Sequence, residues 1–546
     1  MSNQLIVQFK DSSQESLRRN SNNEDIVILN DDTLIQIIDS GNHTDVNEWD
    51  KAHATFAKDE NIDFAEPDIE VSLMLPPEVI ALENQIGEVK YDEFIAEWPY
   101  PKPNKNVWHL GEKYSQLKLA REAVYNMPTK AIIRIAHLDT GYDEEHGSFP
   151  KELINKKLSR NFVDGEDLFD ARDLFKEGGL KNPGHGTGTL SILAGRKMSI
   201  AGVQEFDDYI GLSEAIEIVP IRIAESVVLF KSSGFVKAMN YIVNELNSRE
   251  ETRIHIVTMS MGGLPSKVWA DLVNAAYEQG VFIVSAAGNN YNKLPTRRLV
   301  FPARFNRVVA ACGVTYDYSP YAKPNGKGSF SIMEGNHGPL SLMKTAMAAF
   351  TPNVPWAIWK KKDLFGIRGN GTSSATPQIA SAAALYYCKH YDALEKLPDR
   401  YMIVEAIRNA LFSTALKKIE NYDGNYEQYF GNGILQAFEA LKVDVPDSSF
   451  LKSKKEKKDS VFLPFIRLIL GLRADSSKHD EMLETELMQL ALSDPEIQRL
   501  IDNSETDDIS ELSKEQRLKL AELIRKNIHA SNALKEAATK IINKLE

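Results

Sequence analysis

The stretch Gly371-Thr372-Ser373-Ser374-Ala375-Thr376-Pro377 runs into Gln378-Ile379-Ala380-Ser381-Ala382-Ala383-Ala384-Leu385. Gly366 and Gly369 precede it. The first part reads as a loop turning into a helix, and the small-residue run as that helix, tightly buried. Backbone N–H groups at a helix start have no intrahelical partner. Together with the positive end of the helix dipole, they favour a developing oxyanion. A serine at such a junction is either a plain N-cap or a nucleophile. The choice turns on whether the chain also supplies a base, an orienting carboxylate and a second oxyanion donor.

Composition sets the class. The 546 residues are 43% hydrophobic and 26% charged, ordinary for a globular chain with a sizeable core. A net charge of −13 argues against a nucleic-acid partner. The two cysteines, Cys312 and Cys388, lie in apolar surroundings and read as buried free thiols rather than a disulfide framework. Met1 to Lys10 has a strand pattern and not that of a signal peptide. No run reaches the roughly 18 apolar residues of a membrane span. A cytoplasmic setting is the resulting expectation.

Residues 1–75 read as a small α+β unit. Its strands are expected at Leu5–Phe9, Asp25–Leu29 and Ile69–Leu73, with a helix over Asp45–Asp59. Pro76 and Pro77 break the pattern, and 76–104 reads as a linker with a short helix near Val79–Ile86. From 105 to 445 apolar strands alternate with helices. Ile132–Leu138, Ile216–Ile223, Ile254–Met259, Val281–Ala287 and Val308–Gly313 are near-continuous apolar runs, as expected for strands buried on both faces of a mostly parallel sheet covered by helices. Ligands of such sheets bind at the carboxyl ends of the strands. Asp139, Ser260-Met261-Gly262-Gly263 and Gly288-Asn289 all fall there.

The parts the serine needs therefore recur along the chain. Asp139 ends a buried strand in Asp139-Thr140-Gly141; His185 stands in Gly184-His185-Gly186-Thr187-Gly188, where glycines leave room around an imidazole; Asn289 follows Ala286-Ala287-Gly288. Acyl transfer requires a hydroxyl nucleophile, an imidazole to take and return its proton, a buried carboxylate to hold that imidazole, and a donor at the oxyanion. Each motif alone is modest; the four in one chain, in the order Asp, His, Asn, Ser on an α/β pattern, form a constellation.

On these boxes the sequence resembles the subtilases, the subtilisin-like serine peptidases, over roughly residues 105–442. The resemblance implies a subtilisin-like parallel sheet flanked by helices. It implies Asp139, His185 and Ser373 as the triad, with the Asn289 side chain and the Ser373 N–H at the oxyanion. Ser373, not the adjacent Ser374, is the nucleophile it selects. Ser260, Met261 and Gly262 would pair with an extended peptide, and Ala287 and Gly288 would wall a primary specificity pocket whose small side chains suggest room. Departures are Gly188-Thr189 where many relatives carry His-Val, Ser374 and Thr376 in place of the usual Met and Ser, and a long segment over 326–368 whose Trp356 and Trp359 either shape access or pack. The chemistry requires no cofactor. Family members often bind calcium, but no Asp/Asn-rich loop here has clear ligand spacing, so no metal ligand is assigned.

The flanks carry no chemistry of their own. Residues 1–75, with Phe64-Ala65-Glu66-Pro67-Asp68-Ile69-Glu70-Val71, resemble a subtilase propeptide, implying a folding aid and inhibitor released by a cut between about 74 and 105. The alternative is a permanent accessory domain. Residues 446–478 hold a basic run, Lys452–Lys458, read as a solvated linker, and an apolar stretch, Val461–Leu472, expected to pack on the enzyme rather than on a membrane surface. Residues 479–546 read as a helical extension, with helix starts at Ser493-Asp494-Pro495-Glu496, Ser513 and Ser531. It is expected to bind a partner protein or regulate the cleft. The leading expectation is a serine endopeptidase acting on protein or peptide substrates, made as a self-inhibited zymogen. The rival is a non-enzymatic peptide-binding scaffold, and the same triad would also serve an esterase or a peptide ligase.

Overall fold

The computed structural model describes residues 4–10, 26–30, 33–40, 46–70, 98, 107–174, 183–197, 199–200, 204–205, 209–212, 214–227, 231–293, 296–322, 333–417, 426–461, 477–502 and 513–546. The helix expected at Val79–Ile86 and most of Val461–Leu472 lie outside these.

The N-terminal unit is a four-stranded antiparallel sheet in the order β2-β3-β1-β4, built from β1 (Gln4–Lys10), β2 (Ile26–Asn30), β3 (Thr33–Asp39) and β4 (Ile62–Pro67), with helix α1 (Glu48–Lys58). Successive side chains of a strand face opposite ways. In β1, Leu5, Val7 and Phe9 therefore join Trp49, Ala52 and Phe64 in one core. Ile6 faces the other way and joins Ile35 and Ile37 in the core shared with the central body. The last strand is β4, at Ile62–Pro67. Of the expected strand at Ile69–Leu73, only an antiparallel bridge from Glu70 to Lys231 lies within the described residues.

The central body follows. Helix α2 (Leu117–Tyr125) leads to β5 (Ile133–Asp139), β6 (Arg160–Asn161), α3 (His185–Ala194), β7 (Ile216–Arg222), α4 (Ser232–Asn240), β8 (Ile256–Met259), α5 (Lys267–Glu278), β9 (Phe282–Ala286), β10 (Val309–Val314), β11 (Ala346–Phe350), α6 (Thr372–Lys389) and α7 (Tyr401–Thr414). The strands form one parallel sheet of seven in the order β11-β10-β9-β8-β5-β7-β6. Leu138, Val257, Met259 and Ile283 bury against Val236, Met239, Trp269 and Leu272 of α4 and α5. Ile133, Ile135, Ile256 and Val284 bury against Leu190 of α3 and Ala375, Ile379 and Ala383 of α6. Both faces are thus dry, as the apolar runs required. Asp139 falls in step with Ile133 and Ile135, which aims it at the α3–α6 side.

The C-terminal helices are α8 (Lys478–Ser493), α9 (Pro495–Asp502), α10 (Lys514–Lys526) and α11 (Asn532–Leu545). The expected starts hold. Asp494 accepts from the N–H groups of Glu496 and Ile497, Ser513 forms a capping box with Gln516, and Ser531 caps at Leu534 N. These helices pack on the chain's own N-terminal unit. Trp49 Nε1 donates to Gln489 Oε1 (2.9 Å), whose amide nitrogen donates to Pro265 O (2.9 Å). Asn532 N donates to Asp50 Oδ1 (2.7 Å), and Ser531 and His53 meet Glu486. The lysines of the basic run are exposed, Lys455 pairing with Glu278 (2.8 Å); beyond the run, Asp459 accepts from Asn306 N and Arg307 N, and Val461 is buried. Among the described residues, no helix is long and apolar enough to cross a membrane.

Two carboxylates dock the N-terminal unit on the central body. Glu66 accepts from Ser266 Oγ, Lys267 N and Val268 N at the start of α5. Asp68 accepts from Ser233 N (2.8 Å) and Ser233 Oγ (2.7 Å) at the start of α4. Each satisfies helix-start donors that otherwise lack partners. Burial pushes the Glu66 carboxyl up to about 7, with the hydrogen bonds from Ser266, Lys267 and Val268 pulling against it. A docked value raised above the ordinary 4.5 means that docking takes up a proton. This contribution is full below pH 4.5 and lost as pH rises through 7. Hydrogen-exchange protection of β1 is therefore expected to fall between pH 5 and 8, and to fall less in Glu66→Gln.

Candidate active site

Ser373 is not an N-cap. That place belongs to Gly371, at φ 72°, and Ser373 is the second residue of α6. Its hydroxyl donates to Ser260 O (3.0 Å), not to the His185 ring. In return, Ser260 Oγ donates to Ser373 O (3.0 Å). This second bond has a local cause: Pro377 sits four residues on and has no N–H for the Ser373 carbonyl. Ser260 supplies the missing donor, so the helix start and the end of β8 are stitched together. Met261, next along, accepts from Ser285 Oγ (3.2 Å).

Asn289 faces the same loop. Its Oδ1 accepts from Thr372 N (2.9 Å) and lies 3.3 Å from Thr372 Oγ1. That bond assigns the amide orientation and turns Nδ2 towards Gly371, where a methyl group would lie only 2.9 Å from it. Asn289 Nδ2 donates to no group among the described residues. Thr372, which the sequence reading did not single out, holds this geometry, since its Oγ1 also lies 3.1 Å from Gly288 O and 3.2 Å from Gly288 N.

Asp139 and His185 meet through His185 Nδ1 and Asp139 Oδ1 at 2.7 Å. Asp139 Oδ1 also accepts from Thr140 N (2.8 Å). Burial alone would raise this carboxyl. The attraction and hydrogen bond of His185, with His137 and the Thr140 N–H, outweigh it and hold the group below the ordinary carboxylate value. Gly186 is needed because a methyl there would meet Gly141 O at 2.0 Å. Asp173 braces both boxes, accepting from Gly184 N (2.7 Å) and Thr140 Oγ1 (3.4 Å), beside Arg222 at 3.7 Å. It sits in a polar loop, with no motif to mark it.

The two tryptophans pack on the histidine helix. The Trp356 ring lies edge-on to His185, centroids 5.6 Å apart, and a methyl on Gly188 would overlap it at 1.7 Å. Trp359 lies against Gly184 in the same way (2.2 Å). The glycine at 188, in place of the usual histidine, makes room for Trp356. Val300 packs against the small residues at both Gly262 and Gly288. A methyl on Gly262 would meet Val300 Cγ2 at 2.2 Å, and one on Gly288 would meet Val300 Cγ1 at 2.9 Å. Among the described residues, no group of three or more His, Cys, Asp or Glu side chains is arranged to hold a metal ion.

Replacing Thr372 by Val keeps its volume and strips the buried donors and acceptors it serves. Chemical denaturation is expected to read a loss of about 1–3 kcal/mol, with Thr372→Ser closer to wild type.

The family model described as the subtilase family matches residues 131–433, more than half of the chain. Subtilisin-like protease 3 of Trichophyton tonsurans is 25% identical over 350 residues, covering 64% of this chain and 76% of that protein. The major intracellular serine protease of Bacillus subtilis (strain 168) is 27% identical over 286 residues, covering 51% and 76%. Subtilisin NAT of Bacillus subtilis subsp. natto is 23% identical over 361 residues, covering 65% and 77%. With its seven-stranded parallel sheet and the Asp139–His185 pair at the strand ends, the chain belongs to the subtilase family.

Proposed function

We propose that Ser373 is the nucleophile of this serine endopeptidase, with His185 as base, Asp139 as orienting carboxylate, and Asn289 Nδ2 and the Ser373 N–H as oxyanion donors. The observation that carries the reading is the 2.7 Å contact between His185 Nδ1 and a fully buried Asp139. A carboxylate there fixes the tautomer that leaves Nε2 free to take a proton. Ser373 Oγ attacks the substrate carbonyl carbon and its proton passes to His185 Nε2. The oxyanion collapses, the amine leaves with that proton, and water repeats the cycle on the acyl-enzyme. The resting bond from Ser373 Oγ to Ser260 O has a place in this cycle. A peptide strand adding alongside Ser260, Met261 and Gly262 competes for that carbonyl, and the displaced hydroxyl is free to turn towards His185. Labelling with a fluorophosphonate should require Ser373 and vanish in Ser373→Ala; a Ser373-independent adduct, or none at all after removal of the N-terminal unit, would favour the scaffold reading. Asn289→Ala should cost about 10² to 10³ in kcat.

Val300 sets the expected preference. With its methyls against both Gly262 and Gly288, the slot admits small side chains at the position preceding the cut. Profiling with a peptide library should read Ala or Ser there, and Val300→Gly should shift the preference towards Leu and Phe by tenfold or more, since each buried CH₂ is worth about 0.8 kcal/mol.

The N-terminal unit is read as an inhibitor that makes the chain a zymogen. In support, it caps α4 and α5 through Asp68 and Glu66, and Glu70 bridges to Lys231. Trp98 packs on Tyr321 (4.7 Å), and a methyl on Gly335 would touch both Tyr321 and Thr372, the neighbour of Ser373. Mass spectrometry of the purified protein decides: an uncut chain with full peptidase activity overturns the zymogen reading. A cytoplasmic setting is supported by the likeness to an intracellular bacterial relative and by two buried thiols, Cys312 and Cys388; cell fractionation tests it.

A further inference from the structure

Two buried polar side chains behind the Asp139–His185 pair are unused by the mechanism above. His137 precedes Asp139 by two residues on β5, so both point to the same face of the sheet. Thr189 lies on α3, one turn beyond His185. Its Oγ1 is 2.9 Å from His137 Nε2, 3.0 Å from Asp139 Oδ2 and 3.2 Å from Gly186 O. His137 is 3% exposed, and Asp139 and Thr189 are fully buried.

The hydroxyl has one proton and three neighbours. A carboxylate oxygen only accepts, and a charged acceptor makes the stronger bond, so the Thr189 proton goes to Asp139 Oδ2. A helical threonine commonly bonds its own helix carbonyl instead; here that carbonyl, Gly186 O, is the more distant acceptor. With its proton committed, Thr189 Oγ1 meets His137 Nε2 as an acceptor, so that nitrogen must carry the hydrogen. Asp139 Oδ1 already takes His185 Nδ1–H and Thr140 N–H. Without Thr189, its second oxygen would lose its hydrogen bond in a fully buried site, where an unsatisfied acceptor is costly.

We propose that His137 and Thr189 are positioning residues for the peptidase reaction, forming a donor chain from His137 Nε2–H to Thr189 Oγ1–H to Asp139 Oδ2. The chain fixes the carboxylate in rotation, so that Oδ1 stays in line with His185 Nδ1–H. It also stabilises the carboxylate as an anion when His185 takes the Ser373 proton, which keeps that proton on the imidazolium for delivery to the leaving amine. Burial lowers His137 to about 4, against the pull of Asp139, so the ring enters the chain as a neutral donor. The departure at position 189, threonine where many relatives carry valine, thereby acquires a partner in His137.

The inference rests on Asp139 and His185 being the working pair, and its test separates the two. On the full-length protein, ¹⁵N shifts of the histidine rings, with His137 assigned through His137→Gln, should read His137 as the Nε2–H tautomer; an unprotonated Nε2 overturns the donor chain whatever the activity. Kinetics on a peptide amide, normalised to fluorophosphonate-titrated sites, should give Thr189→Val a kcat lowered about tenfold or more with KM within twofold. Thr189→Ser should stay within threefold of wild type. Because the pair acts as one unit, His137→Val with Thr189→Val should cost no more than Thr189→Val alone. Unchanged kcat in Thr189→Val, a matching rise in KM, or additive losses overturn the proposal. Activity that survives Asp139→Ala or Ser373→Ala overturns the triad reading instead, leaving the tautomer result intact.

Discussion

A carboxylate without access to water is the constraint around which this molecule is arranged. Asp139 ends β5, an interior strand of a parallel sheet, and is wholly enclosed. A buried charge is tolerated only if it is paired and its lone pairs are met. The His185 ring and the Thr140 N–H meet one oxygen, and the Thr189 hydroxyl meets the other. Each of these donors imposes a position on its own element. The start of α3 must come close enough that only glycine fits at 186, and Asp173 must hold Gly184 and Thr140 together from behind.

The same logic of mutual fit runs outward. Residues that look permissive in isolation are filled by distant parts of the chain. Gly188 is the imprint of Trp356, and the small walls at Gly262 and Gly288 are the imprint of Val300. Pro377 breaks a helix bond at Ser373, and Ser260, more than a hundred residues earlier, supplies the missing donor. In each case a local deficit at one element is balanced by a side chain from another. This ties the strand ends and helix starts into one body.

The terminal segments repeat the pattern at a larger scale. The N-terminal sheet turns one face to its own helix and the other to α4 and α5, and Glu66 and Asp68 supply the acceptors those helix starts lack. The C-terminal helices then grip the N-terminal unit from the far side, with Gln489 reaching both Trp49 and Pro265. The two ends of the chain are thus neighbours in space. If the chain is cut between 70 and 107, the contacts through Gln489, Glu486 and Asp50 remain to hold the N-terminal unit.

Short-range chemistry was legible in the sequence. The apolar runs at Ile133–Asp139, Ile256–Met259, Phe282–Ala286 and Val309–Val314 announce strands buried on both faces, since only a covered parallel sheet keeps such runs dry. The Asp139, His185, Asn289 and Ser373 boxes announce the family because each keeps its glycines and small residues at fixed local spacing. The helix starts at Asp494, Ser513 and Ser531 were readable because a cap is a contact between near neighbours. What the tertiary structure alone decided is every contact made across long separations. These include β11 as the seventh strand, Ser260 in place of the Pro377 N–H, Val300 against Gly262 and Gly288, Trp356 over Gly188, Asp173 behind both boxes, and the Thr189 hydroxyl between Asp139 and His137. A side chain's neighbours across a sheet or between helices leave no periodicity in the sequence. They follow from which elements the buried charge and the two apolar faces draw together.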